Sequence, residues 1–546
     1  MFSIIHRTGF LIALASILAT GSARLYADDT AADMGDVEKP AVSQSTADHS
    51  KFKELQKDFK TGPEVTEACL GCHTEAAKQL HKTAHWTWDY INPTTKQHLG
   101  KANVINNFCT SVPSNYKFCT ACHIGYGWED KNFDFTSEDN VDCLVCHDTT
   151  GTYKKLPGLA GHPNYKTMEW PPHSGKFRPP TDLEKVAQHV GKTSRQTCGA
   201  CHFRGGGGDA VKHGDLDSSL EEPGRYLDVH MDAKGLNFSC AKCHATEGHQ
   251  VAGSRYQPTA ADEKGHLIPG SPERRNPTTC VACHDNAPHK PGDKEYDRLN
   301  LHAKTLACQT CHIPAYARGD KYTKMTWDWS TLGKLDEEGH ILKITGSQGK
   351  HTYDSRKGTF TYDRYVIPEY AWFNGEVVFT LPDDKIDPTK VVPINAFKGS
   401  PDDGKSRIWP IKVFRGKQMY DKVNNTLVVT SLSDDKDSAL WKNFDVNKAV
   451  KFGQEYVGKE FSGEAGFVKT QMSWPITHMV APKEDALKCN QCHRENGRLA
   501  GIKGIYMPST NNTPIIDMLG WSVALLALIG VIIHGAIRYF MYKRGH

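Results

Sequence analysis

CTACH at residues 119–123 places two cysteines three positions apart with a histidine directly after the second, and the same phrase returns seven more times along the chain. The triplets are Cys69, Cys72 and His73; Cys119, Cys122 and His123; Cys143, Cys146 and His147; and Cys198, Cys201 and His202. They continue with Cys240, Cys243 and His244; Cys280, Cys283 and His284; Cys308, Cys311 and His312; and Cys489, Cys492 and His493. Chance assortment of this composition would supply only about 0.03 such phrases. Two thiols at this spacing reach two vinyl groups of one porphyrin as thioethers, and the adjacent imidazole is then held under the iron. A zinc site pairs CxxC units and needs no histidine after each, and a disulfide scaffold is a device of short secreted domains. The sequence therefore predicts eight covalently bound haem c groups.

The rest of the composition suits such a skeleton. Only 38% of the 546 residues are hydrophobic while Gly (47) and Pro (28) are plentiful, so porphyrin is expected to supply much of the core. Lys plus Arg (66) nearly balance Asp plus Glu (63), which argues against nucleic acid as a partner. The expected fold is a multihaem cytochrome c, mainly short α-helices and loops packed around haems, with a strand-containing haem-free insertion and one C-terminal transmembrane helix.

Both ends read as membrane-related. Residues 1–27 combine a weakly basic start, an apolar stretch and small residues at Ala23 and Ala27, the pattern of a cleaved signal peptide. Residues 515–537 are apolar over a membrane-spanning length, and Arg538, Lys543 and Arg544 follow in a tail of residues 538–546. The positive-inside rule puts that tail in the cytoplasm and the body on the periplasmic side of a bacterial inner membrane. Between these ends, residues 28–60 are polar, end in the charged KFKELQKDFK and read as a flexible linker with a short helix. Residues 61–312 hold seven motifs, residues 313–475 carry strand signals such as VNNTLVVTSLS without a motif, and residues 476–510 hold the eighth.

Histidines outside the motifs are numerous enough to ligate most irons a second time. Repeated phrases and nearness to motifs point to His85, His213, His230, His249, His289, His302 and His478 as distal ligands. His81 competes with His85, while His162, His173 and His189 stand in Pro-rich or polar surroundings. Seven distal histidines for eight haems leave one iron without a strong second imidazole, which an enzyme needs if substrate is to bind there. The seventeenth cysteine, Cys109, precedes the second motif by ten residues, where its thiol is a candidate for that haem's pocket or simply a small buried hydrophobe. Four glycines, 205–208, follow the fourth motif and read as a loop passing close to a haem or ligand; the GK[ST] of a phosphate loop is absent.

The phrases NNFCTS…CTACHIGYGW, DCLVCHDTTGTYKK, CGACHFRGGGGDAVKHGDLDSSL and LACQTCHIPAYARG resemble the octahaem tetrathionate reductase family, over roughly residues 69–493. The resemblance implies that the second haem is catalytic, with His123 proximal, a lysine distal and Cys109 in the pocket. The family lysine follows an aspartate by three residues, which selects Lys212 with Asp209; Lys154 and Lys155 are the rivals. It further implies reduction of a small sulfur or nitrogen compound, tetrathionate, nitrite or hydroxylamine, with electrons from a quinol-linked or cytochrome donor. A non-catalytic electron conduit and the reverse oxidation are the competing readings, and an oligomer is compatible with the sequence.

Overall fold

The computed structural model describes residues 46–172, 174–258, 278–290, 292, 294–433, 437–507 and 514–545. The expected signal peptide, most of the expected linker and His173 lie outside the described residues.

Each attachment motif falls on a single short turn of helix or just beyond it, as at Leu144–His147, Arg195–His202, Cys240–Cys243, Val281–His284, Cys308–His312 and Cys489–Cys492. The spacing explains this: three residues apart is nearly one helical turn, so a one-turn helix presents both thiols on the same side. Isolated helices so short are not stable by themselves and must be held by what they pack against.

The segment read as a linker is ordered where it is described. His49–Lys51 and Lys53–Leu55 are short 3₁₀ turns, and Asp48 accepts the Ser50 N–H to start the first. Leu55 and Phe59 are buried with Val65, Leu144, Leu183 and Val186, and burying two such side chains contributes about 1.5–3 kcal/mol each. The short helix expected in this segment takes the form of these two turns, and two apolar anchors hold the segment in place.

A nine-stranded sheet supplies the other layer. Its strands are β1 (Thr323–Asp328), β2 (Lys343–Thr345), β3 (His351–Asp354), β4 (Gly358–Asp363), β5 (Glu369–Phe373), β6 (Val392–Pro393), β7 (Arg407–Asp421), β8 (Thr426–Leu427) and β9 (Ala465–Pro475). The order is β6-β9-β7-β1-β4-β3-β2, with β5 and β8 also paired to β7. Strand β7 is the spine: residues 408–414 are all buried, so both of its faces are covered there. In β9 the alternation is regular, with Val468, Thr470, Met472 and Trp474 buried, as a strand with one face on the core requires. The β7/β9 register sets Lys412 opposite Trp474 and Phe414 opposite Met472.

At the C-terminus a helix runs Pro514–Arg544, of which Ile515–Arg544 is apolar enough to cross a membrane. It continues past the predicted end at residue 537 through the basic residues of the tail.

Candidate active site

Seven motif histidines each have a second histidine for a neighbour. Ring centres are 6.4 Å apart for His73 and His49, 6.1 Å for His202 and His85, and 6.2 Å for His244 and His478. They are 6.0 Å apart for His284 and His230, 6.3 Å for His312 and His289, and 6.0 Å for His493 and His302. His249 lies close enough to His147 to depress its own proton affinity, after the larger effect of burial. An imidazole nitrogen sits ~1 Å from its ring centre and a metal–nitrogen bond is about 2 Å, so two rings on one iron would stand about 6 Å apart. The spacing therefore fits haem iron held from both faces.

Hydrogen bonds fix the tautomers accordingly. Nδ1–H donates to the Gly191 carbonyl from His147 (2.8 Å), to Ala252 from His244 (3.0 Å), to the Gln79 side chain from His249 (2.8 Å) and to Asn300 from His289 (3.1 Å). In each case Nε2 is left with its lone pair for a metal. His478 donates Nδ1–H to Asp215 at 3.2 Å. Burial opposes ionisation of Asp215, yet the His478 hydrogen bond and charge hold its carboxyl down to about 2. Asp228 accepts N–H groups of His230, Met231 and Val480, tying two of these histidine segments together.

Two sequence expectations are corrected. His49, read as linker, faces His73; His213, read as a distal ligand, packs at 4.9 Å against Trp474 and faces no motif histidine. Backbone order around residue 49 and the crowding beside Lys212 decide this, and neither is visible in a local phrase. Of the alternatives, His81 stacks on Trp86 at 4.6 Å, His162 pairs with Tyr165, and His189 donates Nδ1–H to the Lys185 carbonyl. A polar stretch carrying His49 just before an apolar residue and the first motif was the signal overlooked.

The second motif differs from the others. His123 is fully buried among Trp86, Trp88, Trp128 and Phe133, with ring centres 4.7–5.5 Å away. Its Nε2–H donates to the Trp86 carbonyl at 2.6 Å, so the nitrogen that the other imidazoles leave free is engaged here. Burial pushes its proton affinity down to about 3.

Two lysines approach this motif: Lys155 donates to the His123 and Gly125 carbonyls at 2.6 and 3.1 Å, and Lys212 comes near Cys122 without such a bond. The Lys212 ammonium lies 4.7 Å over the Trp474 ring, with no hydrogen bond or ion pair among the described residues. Burial, then Arg255 and Lys101, hold its proton affinity well below that of an ordinary lysine. The rivals are otherwise placed: Lys154 is exposed, and Lys155 is buried in an ion pair of 2.9 Å with Asp142. Asp209 does not meet Lys212; its carboxylate accepts the Ser218 N–H and hydroxyl and braces the loop. The glycine loop makes room for Lys212 and Cys109. Gly206 and Gly207 have φ of +76° and +93°, and a Cβ on Gly206 would stand 3.1 Å from Val211 and 3.3 Å from Phe108.

The sheet forms the opposite wall. Lys412 is fully buried and donates to the carbonyls of Val211 and Lys212 at 3.2 Å and to the Thr323 hydroxyl at 2.6 Å. Lys324 lies over the rings of Phe360 (3.6 Å) and Trp327 (4.1 Å), and burial, then Lys357, push it down to about 7. Cys109 is close to Lys357 and Lys324, but burial dominates and pushes its thiol up. Arg255 stacks on Trp474 at 4.6 Å and on Tyr256 at 4.9 Å. Arg255 Nε and Nη2, the Tyr256 hydroxyl and Trp474 Nε1 are buried donors without a partner among the described residues. Lys324, Lys357, Lys412 and Arg255 escaped the sequence reading, although a lysine inside the apolar run IWPIKVF was a usable signal.

Cys109, Lys212, Arg255, Lys324, Lys357 and Trp474 line one cavity of about 3900 Å³, whose walls also carry residues of the second through eighth motifs. That is several times the roughly 300–1,000 Å³ of an ordinary ligand pocket, so it fits several porphyrins in contact. Thiols of different motifs meet: Cys69 with Cys143, Cys122 with Cys201, Cys198 with Cys240, and Cys280 with Cys308. Cys146 also neighbours Cys198, Cys243 neighbours Cys283, and Cys311 neighbours Cys492. The motifs thus form a line in the order first, third, fourth, fifth, sixth, seventh, eighth, with the second as a branch from the fourth.

Comparison with known proteins agrees with this architecture. Residues 324–496 match the family model "Cytochrome c bacterial", and residues 42–148 match "Cytochrome c554 and c-prime". The crystal structure of octaheme cytochrome c from Shewanella oneidensis is similar to this chain, with 41% identity and a TM-score of 0.73, covering 85% of this chain and 99% of that one. No protein of curated function matches.

Proposed function

The chain belongs to the octahaem cytochrome c family, and on that footing we propose that it is a membrane-anchored periplasmic reductase carrying eight haems, acting on a small sulfur or nitrogen compound (tetrathionate, nitrite or hydroxylamine) beside the second motif. Its coarse role is redox chemistry through covalently bound haem c. When bound, haem c supplies one-electron transfer at each iron and a substrate position at an iron that lacks a second strong ligand.

The observation that carries the reading is the contrast at the second motif. Seven motif histidines have an imidazole for a neighbour, whereas here Lys212, buried and without an anionic partner, approaches instead. A lysine held neutral by burial can donate its lone pair to a metal. In this reading Lys212 and His123 would hold the haem of the second motif, His123 once its ring gives up the bond to the Trp86 carbonyl. Cys109 stands as a neutral thiol in the same pocket. Arg255, Tyr256 and Trp474 offer unsatisfied donors, and Lys324 and Lys357 add positive charge, which together suit oxygen atoms gaining charge during reduction. The linear order of motifs suits electron delivery from a quinol-linked or cytochrome donor.

The test is optical. The haem-loaded protein is reduced and mixed anaerobically with tetrathionate, nitrite or hydroxylamine, and reoxidation is followed. Rapid reoxidation by one of these, with a spectral change confined to one haem, is expected. If no small molecule binds or oxidises any haem, the conduit reading replaces this one.

A further inference from the structure

After His493 the chain does not leave the body at once. Leu499 and Met507 are buried, Arg498 donates to the Pro314 carbonyl, and the Lys503 carbonyl accepts the Trp372 indole N–H at 2.8 Å. At Gly504, with φ of +85°, a Cβ would stand only 2.4 Å from Pro401, so the backbone lies directly on that proline. Trp372 and Pro401 also line a small cleft of about 150 Å³ with Lys304, Lys405 and Arg407. One face therefore holds the end of the chain's packed part and the cleft. His302, which faces His493, is two residues from Lys304.

The apolar helix begins at Pro514. Seven residue steps separate it from Met507, and an extended chain covers at most ~3.6 Å per step, so Met507, three residues beyond the Gly504 contact with Pro401, stays within about 25 Å of the start of the helix. Its side chains suit such a place. Lys304, Lys405 and Lys503 are exposed, and Tyr506 is 76% exposed, as an interfacial aromatic would be. Asp403 accepts the Ser400, Lys405 and Ser406 N–H groups and the Ser406 hydroxyl, bonds that hold it anionic, and Asp402 is exposed; Lys304, Lys405, Lys503 and Arg407 outnumber these two acids.

We propose that the face formed by Trp372, Pro401, Lys304, Lys405 and Lys503 lies on the anionic phospholipid headgroups of the membrane that the C-terminal helix enters, which sets the eighth motif at the membrane side of the body. The proposal rests on reading that helix as an anchor. Lysines gather at anionic headgroups within about a Debye length, roughly 8 Å in physiological salt.

The experiment uses the full-length, haem-loaded protein in nanodiscs of phosphatidylcholine alone or with phosphatidylglycerol, and in detergent. An amine-reactive reagent labels exposed lysines, and mass spectrometry reads each site. Lys304, Lys405 and Lys503 should lose label several-fold in the phosphatidylglycerol discs, while Lys343 and Lys350 around the β2–β3 hairpin stay equally reactive. The double variant Lys405→Glu with Lys503→Glu, checked by its haem spectrum, should lose the lipid dependence at Lys304. Protein that enters the discs but labels alike in every medium overturns the proposal, as does protection seen only in native membranes, which would mean a protein partner. Failure to enter discs at all would instead remove the anchor.

Discussion

His49 faces His73 with ring centres 6.4 Å apart and planes inclined by 22°, although 24 residues of sequence separate them. The contact depends on the Leu55 and Phe59 anchors that bring the segment back onto the helix Gly62–Leu70 and its neighbours.

Replacing His49 with alanine should leave one haem of the set with a single imidazole, able to bind cyanide and shifted toward a high-spin spectrum. His213→Ala should keep the full number of bis-imidazole signals. The reverse result, in magnetic circular dichroism or paramagnetic resonance, would show that His213 and not His49 is the ligand.

Lys212 and Lys155 should fail differently when each becomes methionine. Lys212→Met should retain a folded, haem-loaded protein whose turnover of the oxyanion falls by about 10²-fold or more, the scale of losing a positioned electrostatic group. Lys155→Met leaves the buried Asp142 without its cation, although the Tyr126 and Tyr153 hydroxyls and the Val145 N–H still donate to it; the loss, of up to about 3–5 kcal/mol, should appear as a fall in melting temperature. Equal activity of Lys212→Met and the parent would end its assignment.

Lys324 gives the pocket a pH dependence. Burial and Lys357 push it down to about 7, so it is a cation below that pH and neutral above it. Anionic substrate should bind more weakly as pH rises from about 6 to about 8, appearing in KM. Lys324→Arg, whose guanidinium stays charged beyond pH ~12, should flatten the profile. A profile unchanged by the arginine variant would assign the dependence to another group.

Asp215 should tune the site where His478 faces His244. Its negative carboxylate accepts the His478 Nδ1–H and makes that imidazole a stronger donor, favouring the oxidised metal. Asp215→Asn should raise the midpoint potential of one haem in a redox titration and leave the second motif's ligand binding intact. An unchanged set of potentials would argue that His478 does not ligate.

Much of this was legible in the chain because attachment chemistry is local. Cysteine and histidine positions are set by covalent reach, and so could be read without a fold, as could the apolar run that became the C-terminal helix. His85, His230, His289, His302 and His478 could be named as candidates for a related reason: each lies in a phrase close to a motif or repeated beside one. Lys412, Lys324 and Arg255 were missed because their role comes from strands and loops distant in sequence, and burial alone gives their charges meaning.

What the residues determined by themselves was the set of thiols and imidazoles available to hold porphyrin, since bond lengths and helical pitch allow little else at that spacing. Which imidazole faces which was decided only by tertiary packing. His49 faces His73 with Leu55 and Phe59, two buried apolar side chains, packing its segment onto the body. Lys212 faces the second motif because Lys412, fixed in β7 opposite Trp474, holds its backbone from below.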